Sequence, residues 1–251
     1  GLSGEFAPAT GLYSTANHDV NFGQRPFKYT PPTGYLKLNT FNLPDSSIVD
    51  GSENFNTIIY PGDGGTQAVT GVGFSPDLVW IKSINDTGSH SIQDTVRGAG
   101  GTTKLCSNST NAENNTGADA TDSIYGYLTA FGSDGFTVYV GTTPSQVNKS
   151  TKNYAAWNWK AGGTAVSNTD GTITSQVSAN TTAGFSVVTF TGTGSTQTVG
   201  HGLGVTPKFY IIKNRTVTAS WYTYTTVIDG RLVFLFFEQT SPKADSGVLC
   251  L

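Results

Sequence analysis

One segment is written twice in this chain. Residues 55–82 read FNTIIYPGDGGTQAVTGVGFSPDLVWIK and residues 185–213 read FSVVTFTGTGSTQTVGHGLGVTPKFYIIK, and one insertion after Val199 aligns them from Phe55/Phe185 to Lys82/Lys213. Between those ends the copies share Gly62/Gly192, Gly64/Gly194, Thr66/Thr196, Gln67/Gln197, Val69/Val199, Gly71/Gly202, Gly73/Gly204, Pro76/Pro207 and Ile81/Ile212. A repeat of this length restricts the chain to supersecondary units placed in series. Each copy reads as a strand, a Gly-x-Gly turn, a short Thr-Gln-x-Val strand, a second Gly-x-Gly with a Pro, and an apolar run. The runs Leu78-Val79-Trp80-Ile81 and Phe209-Tyr210-Ile211-Ile212 lack alternation. That predicts strands covered on both faces, closed by Lys82 and Lys213 with their ammonium heads in solvent. Because strands and not helices follow the glycine pairs, these are turns rather than phosphate cradles.

Composition agrees with the repeat. Charged residues make up 12% of the chain, about half the usual share of roughly 25%, while Gly alone numbers 31. Long helices draw on Ala, Leu, Glu, Lys and Arg, whereas the Thr, Val, Tyr and Phe that abound here suit a pleated, half-buried surface. The fold class expected is all-β, as tandem antiparallel β-sandwich modules. Five Asp-Gly dipeptides, at Asp50, Asp63, Asp134, Asp170 and Asp229, predict strand reversals. β-rich runs lie at Asn56–Tyr60, Leu78–Lys82, Phe136–Val140, Tyr154–Trp159, Phe185–Thr191, Phe209–Lys213, Trp221–Ile228 and Leu232–Phe237. Residues 83–121 read as a long loop with at most two weak strands, and 162–178 as a flexible linker. The organisation expected is a segment 1–44, a first module 45–165 and a second, related module 166–251.

Several classes of function are disfavoured. A net charge of −3 without a basic stripe argues against nucleic acid or an anionic membrane as partner. No apolar run approaches the roughly 20 residues that span a bilayer. With no Met in the chain, Gly1 is not expected to be a translation start. Cys106 and Cys250 could pair or remain buried thiols. Six Asn-x-Ser/Thr sites, at Asn85, Asn108, Asn114, Asn148, Asn180 and Asn214, match what so Asn- and Thr-rich a chain carries by composition.

The stretches Gly11-Leu12-Tyr13-Ser14, Val20 to Phe27, Pro31 to Tyr35 and Leu38 to Pro44 resemble the closing strands of a SPRY (B30.2-like) sandwich, with the earlier strands missing. Followed by Pro76 to Lys82, Ala156-Trp157-Asn158-Trp159-Lys160-Ala161-Gly162-Gly163 and the second copy, that ending is similar to structural proteins of tailed bacteriophages. The resemblance implies a virion component on the particle surface: a fibre or appendage that adheres to the host, or a capsid decoration protein. Its implied partners are copies of itself, other virion proteins and a host surface glycan. It implies homo-oligomers, trimers if the part is a fibre.

Residues with chemical potential are few. Paired carboxylates in contrasting environments could cleave polysaccharide, and Glu5, Asp94, Glu113 and Glu238 are the acids to consider. They form no obvious pair, so no catalytic residues and no enzyme are expected. His18, His90 and His201 stand apart from other ligand types, so neither a metal nor a cofactor is expected. Trp157 and Trp159, two apart on a strand, share one face, and Trp221, Tyr222 and Tyr224 form a second aromatic cluster. These rings could stack on a sugar, which is the carbohydrate-binding alternative, or fill a core.

Overall fold

A computed structural model describes residues 25–30, 32–34, 48–115, 123–143, 146–228, 232–240 and 244–245. The chain divides into two units, Gly1–Ser46 and Ser47–Leu251. The SPRY-like stretches, Glu5 and His18 fall wholly or largely outside the described residues, as does Cys250.

The larger unit is built of strands, as composition and turn chemistry require. They are β1 (Phe55–Pro61), β2 (Thr66–Thr70), β3 (Leu78–Ser83), β4 (Ser91–Asp94), β5 (Tyr127–Gly132), β6 (Gly135–Tyr139), β7 (Asn153–Trp159), β8 (Val166–Asn168), β9 (Ser175–Asn180), β10 (Phe185–Phe190), β11 (Phe209–Lys213), β12 (Trp221–Thr225), β13 (Val233–Phe236) and β14 (Ala244–Asp245). An antiparallel sheet β1-β7-β3-β4 faces a second, β2-β6-β5. Between them lies a core in which Tyr60, Val79, Ile81, Tyr154 and Ala156 of one sheet meet Val69, Leu128, Phe136 and Val138 of the other. Strand alternation sends these side chains inward and leaves their neighbours on the outer face.

Acidic turn residues pin this sandwich. Asp134 sits in the tight β5–β6 turn, and its carboxylate accepts the amides of Gly71 (3.0 Å) and Gly73 (2.6 Å), clasping the first copy's second Gly-x-Gly. Asp77 is buried and accepts from Thr95 Oγ1, the Ala161 amide and the Gly163 amide, tying the entry of β3 to the exits of β4 and β7. The Asp-Gly sites are not all hairpins. Asp134 and Asp170 are reversals between paired strands. Asp63 instead carries the chain from one sheet to the other, held by Asn148, and Asp50 caps a short 3₁₀ turn. Asp229 lies outside the described residues.

The second half contributes sheets β10-β9-β8 and β11-β12-β13-β14. The expected linker at 162–178 is therefore a correction, since β8 and β9 occupy much of it. Its polarity conceals the strands because the serines bond inward: Ser178 Oγ accepts from the Gly162 amide and donates to Gly163 O, while Ser175 Oγ donates to Gly200 O. β5 also lies outside the expected runs.

The two copies of the repeat share one hairpin. β3–β4 and β11–β12 have equivalent registers, Ile81 opposite Ser91 and Ile212 opposite Tyr222, with loops of equal length. In both, the closing lysine donates to the carbonyl of the next residue, Ser83 O or Asn214 O; Lys82 Nζ also reaches Asp86 O in its own loop, whereas Lys213 Nζ reaches Thr110 O of the first half. Burial lowers both lysine pKa values, opposed by Asp86 for Lys82 and by Glu238 and Glu113 for Lys213. The ammonium heads are thus each bonded to two backbone carbonyls rather than reaching freely into water. The first halves differ: β2 pairs with β6, whereas the matching stretch of the second copy makes only the single bridge Ile173–Val199. The second apolar run also departs from expectation. β3 lies between β7 and β4, but β11 is an edge among the described residues, with Phe209 and Ile211 exposed.

Candidate functional site

On β7, Tyr154, Ala156 and Asn158 are buried in the sandwich, which leaves Trp157 and Trp159 together on its outer face. Pairing register then assembles a ring cluster around them. Trp80 of β3 lies opposite Trp157, and Phe55 of β1 opposite Trp159. Ring centroids are 4.9 Å apart for Phe55–Trp159, 6.0 Å for Trp80–Trp157 and 6.4 Å for Trp80–Trp159. The second half adds Phe185, stacked on Trp159 at 6.1 Å, and Phe237, tilted against Trp80 at 5.4 Å. Trp157 and Trp159 are half-buried, while Phe55 and Phe237 are about 40% exposed (42% and 40%). The face therefore does two things: it cements the halves of the unit, and it leaves ring surface open at its rim.

His90 borders this cluster. Trp80 Nε1 donates to His90 Nδ1 at 2.7 Å, so that nitrogen carries no proton. Burial, and secondarily Lys82, hold the His90 pKa below its ordinary value.

The structure separates Trp221 from Tyr222. Trp221 is 6% exposed and packs with Ile92, Leu105 and Trp80, its indole Nε1 donating to Ser109 O (2.9 Å) and Cys106 O (3.2 Å). It is a core residue and cannot stack on a sugar. Tyr222 faces the other way, 38% exposed, in a ladder with Tyr224, Phe234 and Phe236.

The acidic candidates are engaged elsewhere. Asp94 and Glu113 both bind Arg97, whose side chain is 5% exposed. Glu113 then forks onto Arg215, with two contacts of 2.9 Å, and its amide donates to Arg215 O. Arg97–Glu113–Arg215 is thus an ionic latch between the first half and the β11–β12 loop. For Glu238, burial favours the acid form but is outweighed by hydrogen bonds from Ser220, its own backbone amide, the Trp221 amide and Gln239, which together lower its pKa. His201 accepts the Leu203 amide in a turn. Among the described residues no group of three or more His, Cys, Asp or Glu is placed to hold a metal, and no helix is long and apolar enough to cross a membrane.

Five of the six Asn-x-Ser/Thr asparagines hold backbone or lie in the interior. Asn148 is fully buried, and Asn85, Asn108, Asn180 and Asn214 accept backbone amides. The latch and the aromatic junction were not apparent from sequence, because Arg97, Glu113 and Arg215, like Phe55, Trp80 and Phe185, are scattered along the chain and meet only through strand register.

A family model described as a domain of unknown function (DUF7483) matches residues 50–250. No curated protein and no solved structure matches the chain.

Proposed function

We propose that this chain, which belongs to the DUF7483 family, is an architectural component of a tailed-phage virion, a fibre or surface appendage that meets the host. The observation that carries the reading is the doubled hairpin unit locked by the buried latch: Asp94 and Glu113, which chemistry would need, are spent on Arg97 and Arg215. A sparsely charged, Thr- and Asn-rich sequence suits β contacts with identical or related neighbours, and β11, an edge among the described residues, offers backbone donors and acceptors for such a contact. The resemblance of residues 11–44 and of the repeat to phage structural proteins supplies the particle. Gold-labelled antibody to this chain, imaged on purified virions, should decorate the tail or its fibres. Label confined to the capsid shell would favour a decoration protein, and unlabelled particles would end the reading.

The aromatic rim sustains a second reading, adhesion by sugar stacking at Trp157 and Trp159 with Phe55 alongside. Multiple copies would raise weak contacts to useful avidity. Glycan-array binding lost in Trp159→Ala would support it, and release of reducing ends from host polysaccharide would point to a depolymerase instead.

A further inference from the structure

Lys104, Cys106 and Gln146 meet inside the first half, outside every site described above. Lys104 and Cys106 are 0% exposed and Gln146 is 4% exposed. Leu105 forms a two-bond bridge with Ile92, so its neighbours Lys104 and Cys106 are held in extended backbone and project to the same side. Lys104 Nζ donates to Gln146 Oε1 at 3.0 Å and to Gly126 O at 3.1 Å, while Cys106 Sγ stands 4.0 Å from the same Oε1. The frame is fixed on each side: the Gln146 amide donates to Tyr125 O, and Cys106 O accepts from Ser109 N and Trp221 Nε1.

A thiol, an amine and a carboxamide are thereby gathered where water is excluded. An ammonium N–H on a carboxamide oxygen polarises the carbon and stabilises negative charge developing on that oxygen. The thiol is the stronger nucleophile of the two. Rotation about the inner torsions of the Gln146 and Cys106 side chains, which carry Cδ and Sγ, would bring the two atoms to the roughly 3–3.5 Å at which attack begins.

We propose that these three residues form a self-crosslinking centre that joins the Lys104 and Gln146 side chains as a secondary amide. Cys106 Sγ bonds to Gln146 Cδ, the Cδ–Nε2 bond breaks, and the thiol proton leaves with the nitrogen as ammonia. Lys104 Nζ then bonds to the same carbon, the C–S bond breaks, and an amine proton returns to sulfur. The proton that Lys104 carried as an ammonium departs with the ammonia as an ammonium ion. Cys106 is regenerated, and neither oxidant nor cofactor takes part. The proposal is independent of any role in a virion.

Intact mass spectrometry of the full chain, followed by tryptic mapping after denaturation, tests it. The expected result is a chain lighter than its sequence by one ammonia, resistant to trypsin after Lys104, and yielding a branched peptide that joins Lys104 to Gln146. Cys106→Ser, which preserves the size of the side chain, should restore the sequence mass and cleavage after Lys104. An unaltered mass for the native chain overturns the proposal without recourse to any variant. A link that persists in Cys106→Ser overturns the part given to the thiol, and an ammonia loss that maps to a methylamine-reactive bond at Cys106 overturns the secondary amide.

Discussion

Replacing Arg97 by Met should destabilise the larger unit far more than replacing Arg215. Arg97 donates to Asp94, to Glu113 (2.8 Å), to Thr103 O (2.6 Å) and to Ile92 O (3.2 Å). After the substitution Glu113 retains its fork to Arg215, and Ile92 O retains the Leu105 amide. Asp94 keeps only the amide of residue 97, with a side chain 5% exposed. A buried carboxylate deprived of its cation costs about 3–5 kcal/mol, or roughly 6–20 °C in melting temperature for a unit of this size. Arg215 is different: its side chain is 41% exposed and Glu113 would still hold Arg97, so Arg215→Met should cost about 1 kcal/mol or less. Urea unfolding followed by far-UV circular dichroism measures both, and unchanged slopes with shifted midpoints identify a stability effect. Adding Asp94→Asn to Arg97→Met should recover part of the loss, since no unpaired charge then remains. Equal costs for the two single variants, or strict additivity in the double, would refute the assignment of Arg97 as the buried hub.

Two other outcomes can be checked on the same protein. A Cβ on Gly135 would lie 2.0 Å from Val69 O, whereas Gly204, at φ +71°, has open space around it; Gly135→Ala should therefore cost about 3 kcal/mol and Gly204→Ala only the roughly 1–2 kcal/mol of a left-handed alanine, read from the same urea midpoints. His90 has a folded pKa below its ordinary 6.5, so the unfolded chain binds its proton first on acidification. Its contribution to stability is then complete above pH 6.5 and declines as the pH falls toward the folded pKa. Tryptophan emission should change as the pH passes through the folded pKa, where His90 Nδ1 takes a proton and the Trp80 hydrogen bond is lost, and His90→Gln, which keeps an acceptor, should abolish the change.

What could be read from residues alone was local. The runs at 56–60, 78–82, 154–159 and 209–213 are strands, and the spacing of Trp157 and Trp159 places both rings on one face, because strand periodicity is a property of the chain itself. What escaped was whatever depends on which strands pair. Trp221 and Tyr222 look like one cluster in sequence, but adjacent residues on a strand point apart, and only the packing of β12 decides which side is core. Similarly, Ser175 and Ser178 look like linker residues until their hydroxyls are seen closing backbone groups. The exposure of Phe209 and Ile211 has the same origin, since no run of apolar residues declares whether a second neighbouring strand exists.

The hairpin common to both copies comes with its own fastener, a lysine that stitches its terminal ammonium to the carbonyl of the following residue whatever sheet surrounds it. A bond to the next residue travels with the segment when it is duplicated, while the second bond of the same ammonium is drawn from whatever lies near: Asp86 O within the bend in one copy, Thr110 O of the first half in the other. The two copies keep one hairpin register although β3 has β7 as a second neighbour and β11 has none among the described residues.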